Sequence, residues 1–214
     1  MIKVSNIDVY GLTHAIRGMR NPMNSWNKSD SNFESNLEVG NNDHQLMTKL
    51  NKAGSEHAKF MRMIQVWLDV EAPLYWFKQF ETYKVGTTSN SCSTMHKLTD
   101  KPFELEDFSF DEGTCDVIHR LLLIELNRLR DLYLEDRNKL TWRSMVQLLP
   151  SSYNQKRTVN LNYEVLKNMY HQRKNHKLSE WEEFFDQVLG SIPCCELITN
   201  ECTYQRNRSE SGEG

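Results

Sequence analysis

The chain has 214 residues, enough to bury a substantial core without disulfide staples, and reads as one α/β domain over residues 1–202 followed by a disordered tail over 203–214. With 26 basic and 29 acidic side chains the formal net charge is −3, which argues against bulk attraction to a nucleic-acid polymer or an anionic membrane. No window approaches the roughly 20 apolar residues that span a bilayer, and the opening MIKVSNIDVYGL lacks the apolar core of a signal segment, so a soluble cytoplasmic protein is expected.

Ile2, Val4, Ile7 and Val9 suggest a first strand whose alternation slips around Asn6. A helix over Leu12 to Met19 follows, then a long polar surface loop from Asn21 to Asn42 broken by Pro22 and Gly40. Asp43 reads as the N-cap of a helix through Leu46, Met47 and Leu50 that closes near Gly54. A short helix holding His57 and Phe60 comes next. Ile64, Val66, Leu68 and Val70 alternate with Gln65, Trp67, Asp69 and Glu71, the pattern of a half-buried strand.

Pro73 suits the first turn of the next helix, where its missing N–H costs nothing. That helix places Trp76, Gln79, Phe80 and Tyr83 on one stripe, and Gln79 stands out because a buried amide needs partners. The stretch Val85 to Thr94, VGTTSNSCST, reads as a loop rich in hydroxyls and backbone N–H groups, suited to phosphate or carbonyl oxygens.

After a polar, acidic connection over Pro102 to Phe110, the longest helix runs from Gly113 or Thr114 to about Asn138, apolar on more than one side. Such breadth implies burial against two partners, either two layers of one subunit or a second subunit. A short helix over Trp142 to Leu149 stops at Pro150. Arg157 to Asn162 has strand propensity, and Tyr163 to Arg173 returns to helical spacing. Ser179 with Glu182 forms a capping-box pattern for a helix ended by Gly190 and Pro193. The five cysteines, Cys92, Cys115, Cys194, Cys195 and Cys202, lack zinc-type spacing and read as thiols.

Read together, His57, Ala72-Pro73, Lys78-Gln79, the Ser/Thr stretch, Leu149-Pro150, Asn162, Asn168, Arg173 and Trp181-Glu182 resemble the flavin-dependent thymidylate synthases. In that family a histidine precedes a strand and an Ala-Pro helix ends in Arg-Gln. The signature Arg-His-Arg-x-x-Ser-x-Asn-x-x-Ser-x-Arg-Tyr follows at once. The spacing matches without a gap from His57 through Met95 and again from Pro150 through Arg173, and the likeness covers about two thirds of the chain.

The resemblance implies an α/β (α+β) fold with a mixed or antiparallel sheet packed by helices around a long central helix. It implies a homotetramer with sites between subunits, and conversion of dUMP to dTMP with FAD, NADPH and methylenetetrahydrofolate. By position it assigns His57, Tyr83, Lys84, Asn162 and Asn168 to FAD. It assigns Gln79, Thr87, Asn90, Cys92, Ser93 and Arg173 to the pyrimidine nucleotide. No protein nucleophile is required.

The signature itself is degraded. In the gapless register its Arg-His-Arg falls on Thr82, Tyr83 and Lys84, its first Ser on Thr87, its Asn on Ser89 and its later Ser on Cys92. A shift of one residue brings Asn90 and Ser93 onto those last two positions, and Thr88 onto the first Ser. A further nucleotide-binding arginine falls on Val146. Losing two charge-assisted phosphate contacts, at about 1.5 to 3 kcal/mol each, weakens binding by roughly two to four decades unless other cations compensate. Arg17, Arg20, Arg143, Lys156 and Arg157 are the available compensators. The degraded signature leaves open a relative that acts on another pyrimidine nucleotide, or a non-catalytic oligomer without flavin.

Overall fold

The computed structural model describes residues 2–32, 38–111, 113 and 115–200; the expected tail, Cys202 and part of the Asn21 to Asn42 loop lie outside them. Strands β1 (Lys3–Tyr10), β2 (Gln65–Pro73), β3 (Thr87–Ser91) and β4 (Asn154–Asn162) form an antiparallel sheet in the order β1-β2-β4-β3, packed by helices. The described residues fall into two compact units. One lies within Met1–Lys3, Asp69–Thr82 and Ser89–Thr158; the other lies within Val4–Leu68, Tyr83–Thr88 and Val159–Gly214.

The second of these carries α1 (Leu12–Arg20), α2 (Asn41–Lys52), α7 (Tyr163–Arg173), α8 (Glu180–Leu189) and α9 (Glu196–Thr199). Its core is built from Leu12, Ile16, Met47, Leu166, Trp181, Phe184 and Val188, each buried by helical spacing on its own element. The slip in β1 has a local cause: Asn6 takes a φ of 52°, an extra residue that flips the phase, so Val4 turns inward before it and Ile7 and Val9 after it. Gly11 ends the strand at φ 89°, where an added Cβ would come within 2.3 Å of the Met63 carbonyl oxygen.

Asp43 is not the N-cap of α2. The helix begins at Asn41 after Gly40, and Asp30 from the preceding loop accepts from the N–H groups of Asn42 and Asp43 instead. Asp43 is buried and accepts hydrogen bonds from Arg20, Ser29 and Ser31, so much of the expected open loop is tied to one carboxylate. His57 stands in a turn before the 3-10 segment Lys59–Met63, outside any helix. Ser179 has a helical backbone, so its side chain is not placed to cap α8, and the capping box does not form.

The other unit carries α3 (Leu74–Phe80), α4 (Thr94–Lys97), α5 (Asp116–Asp136) and α6 (Lys139–Leu148). Trp76, Phe77 and Phe80 are its buried stripe on α3; Tyr83 lies beyond that helix, and Phe77 takes the place given to it. A second cluster joins Leu98, Phe103, Phe108, Leu126, Leu129 and Met145. Of the long α5, Leu126 and Leu129 are buried, whereas Val117, Ile118, Leu121, Ile124 and Leu132 are exposed.

The main revision concerns Val85 to Thr94. It is not a loop but the turn Lys84–Thr87, the edge strand β3 and the Ser93-capped start of α4. Sequence patterning missed the strand because its burial falls from half-buried at Thr87 to exposed at every later position, leaving no apolar face to alternate.

Candidate functional site

Two groups of the expected site residues are gathered by the unit formed by 4–68, 83–88 and 159–214. The first lies where β4 runs into α7. Asn162 ends the strand and caps the helix, its Oδ1 accepting from the Val165 N–H at 3.0 Å, which leaves its Nδ2 as a free donor among the described residues. Gly86, at φ 80°, packs so tightly here that an added Cβ would stand 3.1 Å from both Asn162 Nδ2 and Val165 Cγ2. Beside Gly86 in sequence, the Thr87 hydroxyl oxygen is buried with no hydrogen-bond partner among the described residues. Buried hydroxyls are normally satisfied, so Thr87 is the kind of group a ligand oxygen would complete.

The second group surrounds Arg173 at the end of α7. Its Nε donates to the Tyr83 hydroxyl at 3.0 Å, and that hydroxyl donates to Gln172 Oε1 at 3.0 Å. The guanidinium carbon stands 5.8 Å from the Tyr83 ring centroid and 5.5 Å from that of Trp181. Tyr83 and Trp181 meet edge to face at 6.2 Å. Arg173 is half-buried and has no carboxylate partner among the described residues, so its terminal N–H groups are uncommitted. Motif spacing had marked Tyr83 and Arg173, but Gln172 carried no signal beyond its adjacency to Arg173.

Other assigned residues are differently placed. His57, Lys84 and Asn168 are exposed, and none makes a side-chain hydrogen bond or ion pair among the described residues. Asn168 shares a face of α7 with Gln172, one turn on. In the unit formed by 1–3, 69–82 and 89–158, Gln79 is half-buried on α3 and its carbonyl accepts from Thr82 Oγ1 at 2.7 Å. Asn90 is exposed on β3. Cys92 continues the ladder, donating its N–H to the Lys156 carbonyl and accepting from Gln155 Nε2. Ser93 is occupied in capping, its Oγ accepting from the His96 N–H at 3.2 Å.

Several candidate compensating cations are spent inside the protein. Arg20 pairs with Asp43 at 2.6 Å, Arg157 with Glu81 at 2.6 Å and Lys156 with Asp69 at 3.1 Å. Arg17 hydrogen-bonds His14, while Arg143 is exposed with no partner among the described residues. Cys92, Cys115, Cys194 and Cys195 are thiols, not disulfides. Burial pushes the Cys194 thiol up to about 12, which removes it as a nucleophile near neutral pH. Among the described residues no group of His, Cys, Asp and Glu could hold a metal ion, and no helix is long and apolar enough to cross a membrane.

No protein-family model matches the sequence, and no curated protein matches it. Solved structures do. The flavin-dependent thymidylate synthase ThyX from Helicobacter pylori, complexed with FAD and dUMP, is similar with a TM-score of 0.72 at 16% identity, over 91% of this chain and 96% of that one. A second structure of Helicobacter pylori ThyX with FAD and dUMP gives a TM-score of 0.71 at 15% identity, over 92% and 96%. At such identity the likeness shows the fold: an α/β frame of the ThyX kind.

Proposed function

We propose that the chain is a pyrimidine-nucleotide enzyme of the flavin-dependent thymidylate synthase type, methylating dUMP with methylenetetrahydrofolate, with FAD as its cofactor and NADPH as reductant. The observation that carries this reading is Arg173, a half-buried cation beside two adjoining aromatic rings with no carboxylate to neutralise it among the described residues. Its free N–H fork suits a bidentate contact with phosphate or with a pyrimidine carbonyl. The partnerless Thr87 hydroxyl and the Asn162 amide add two more donors for ligand oxygens. The fold supports the reading because the similar ThyX structures carry FAD and dUMP.

The donors present fit a flavin nucleotide: Asn162 Nδ2, the Asn168 amide, the Lys84 ammonium and the His57 ring would hold it, with Tyr83 alongside. Bound FAD would supply two-electron hydride chemistry. The chain's own contribution is placement. Asn162 is fixed by its cap, so its amide is presented without further ordering; Arg173 balances the nucleotide's negative charge. Gln79, Asn90, Cys92 and Ser93 keep their assignment to the nucleotide from motif position alone.

The protein should bind added FAD and elute yellow, and the complex should bind dUMP in calorimetry. It should also rescue a thymidine-requiring bacterium, with rescue lost in Arg173→Ala. A colourless protein that takes up no FAD at high concentration sinks the flavin reading. A second reading, a relative acting on another pyrimidine nucleotide, is favoured by one observation: Arg20, Lys156 and Arg157 are tied up in ion pairs and do not replace the missing signature arginines. Tighter binding of a different nucleotide in a panel containing dUMP would select it.

A soluble homotetramer with sites between subunits is part of the reading, and the exposed apolar face of α5 supports a subunit contact. Val117, Ile118, Leu121 and Ile124 are each more than half exposed, and such a contiguous patch is normally covered by a partner. Ile124→Glu is expected to shift sedimentation to smaller species; an unchanged profile counts against this face.

A further inference from the structure

We infer that Tyr83 is a positioning residue, which sets the guanidinium of Arg173 in one orientation for a nucleotide oxygen; the inference rests on the nucleotide-binding reading above. A phenol has a single hydrogen, and that of Tyr83 is given to Gln172 Oε1 at 3.0 Å. The oxygen then accepts from Arg173 Nε at 3.0 Å, so the bonds run in one direction, from Arg173 through Tyr83 to Gln172. With its proton spent, Tyr83 has none left to donate to a phosphate or carbonyl oxygen. Its influence on such a ligand passes through Arg173.

The geometry makes that influence specific. A guanidinium is planar, so fixing the Nε–H direction with two rings on one side leaves little freedom about the last side-chain bond. Tyr83 supplies the first restraint through its hydroxyl, and the adjoining Tyr83 and Trp181 rings, 5.8 and 5.5 Å from the guanidinium carbon, close off one side of it. The two terminal nitrogens are thereby presented in advance. A ligand that meets an ordered fork loses less affinity to side-chain immobilisation than one that must order it. Gln172 has a part as well: by accepting the phenolic hydrogen it turns the oxygen lone pair toward Arg173.

The test compares dUMP binding by the FAD-loaded full chain in wild type, Tyr83→Phe, Arg173→Lys and the double variant, by calorimetry at fixed salt. Loss of one hydrogen bond predicts about a fivefold to tenfold weaker dUMP for Tyr83→Phe, with the thermal midpoint nearly unmoved. In the Arg173→Lys background the same change should have almost no further effect, because lysine offers no Nε–H fork to aim. A purely structural role for Tyr83 would give additive losses and a lowered midpoint. Deoxyuridine run in parallel identifies the group recognised: a loss confined to dUMP points to phosphate, a loss shared by both points to the base carbonyl, and either supports aiming through Arg173. Should Tyr83→Phe fail to fold, Gln172→Leu serves, with about a twofold to threefold loss expected. Wild-type affinity in the phenylalanine variant, or additivity in the double variant, overturns the inference alone. A wild-type protein that binds no dUMP overturns the nucleotide reading and this inference with it.

Discussion

Arg157 and Arg173 sit in similar surroundings, one in each unit, and differ in what balances their charge. The Arg157 guanidinium carbon lies 4.0 Å from the Phe77 ring centroid, its Nη1 donates to Glu81 at 2.6 Å and its Nε to Gln155 at 3.0 Å. Arg173 also faces aromatic rings and also uses its Nε, but its acceptor is the neutral Tyr83 phenol and no carboxylate stands by it among the described residues. A neighbouring ring is common to both, closer at Arg157 than at Arg173. What separates a cation that holds the fold from one available to a ligand is the carboxylate, and only the tertiary structure supplies that information.

Arg20 extends the comparison to full burial, since it and Asp43 are 4% and 0% exposed. Asp43→Ala should therefore have the largest effect, destabilising by about 3 to 5 kcal/mol in urea unfolding because a buried guanidinium loses its counter-charge. Burial pushes the Asp43 carboxyl upward, but hydrogen bonds from Ser31, Ser29 and Arg20 outweigh it and hold the pKa below 3.8. A depressed carboxylate stabilises the fold above its unfolded value and loses that contribution as pH falls through the folded one. Stability should thus decline as pH drops below about 4, and Asp43→Asn should flatten that decline. A variant with the wild-type acid profile would remove Asp43 as its source.

Arg157→Ala should cost about 1 to 2 kcal/mol of stability, from a lost ring contact and a half-exposed ion pair, with dUMP affinity unchanged. Arg173→Ala should cost under about 1 kcal/mol of stability yet weaken dUMP by about tenfold to 150-fold. Equal stability losses in the two, or intact dUMP binding without Arg173, would erase the distinction between them.

Much of the frame was legible because its signals are local. Alternation marked β2, Pro73 marked the entry to α3, and the misplaced alternation at Asn6 corresponds to a real change of backbone phase. The site was legible only in part. Motif spacing placed Asn162 at a strand-to-helix junction, yet nothing in the sequence tells that its side chain caps α7 or that Gly86 packs against it. Tyr83 and Arg173 are 90 residues apart, and the hydrogen bond between them is a product of folding. Ser179 misled for the converse reason: its spacing to Glu182 is right, but its backbone is already helical.

The edge strand β3 has a consequence for how this protein can change. Strands that bury one face are locked in register, because a slip of one residue would turn apolar side chains to water. From Thr88 to Ser91 both faces of β3 are exposed, so exchange among small polar residues, or a slide by one position, incurs no such penalty. Drift is thus permitted where the middle of the family signature falls, while Asn162 and Gly86, clamped against each other, are far less free. A lineage can rewrite the text of such a strand and still keep the page it is written on.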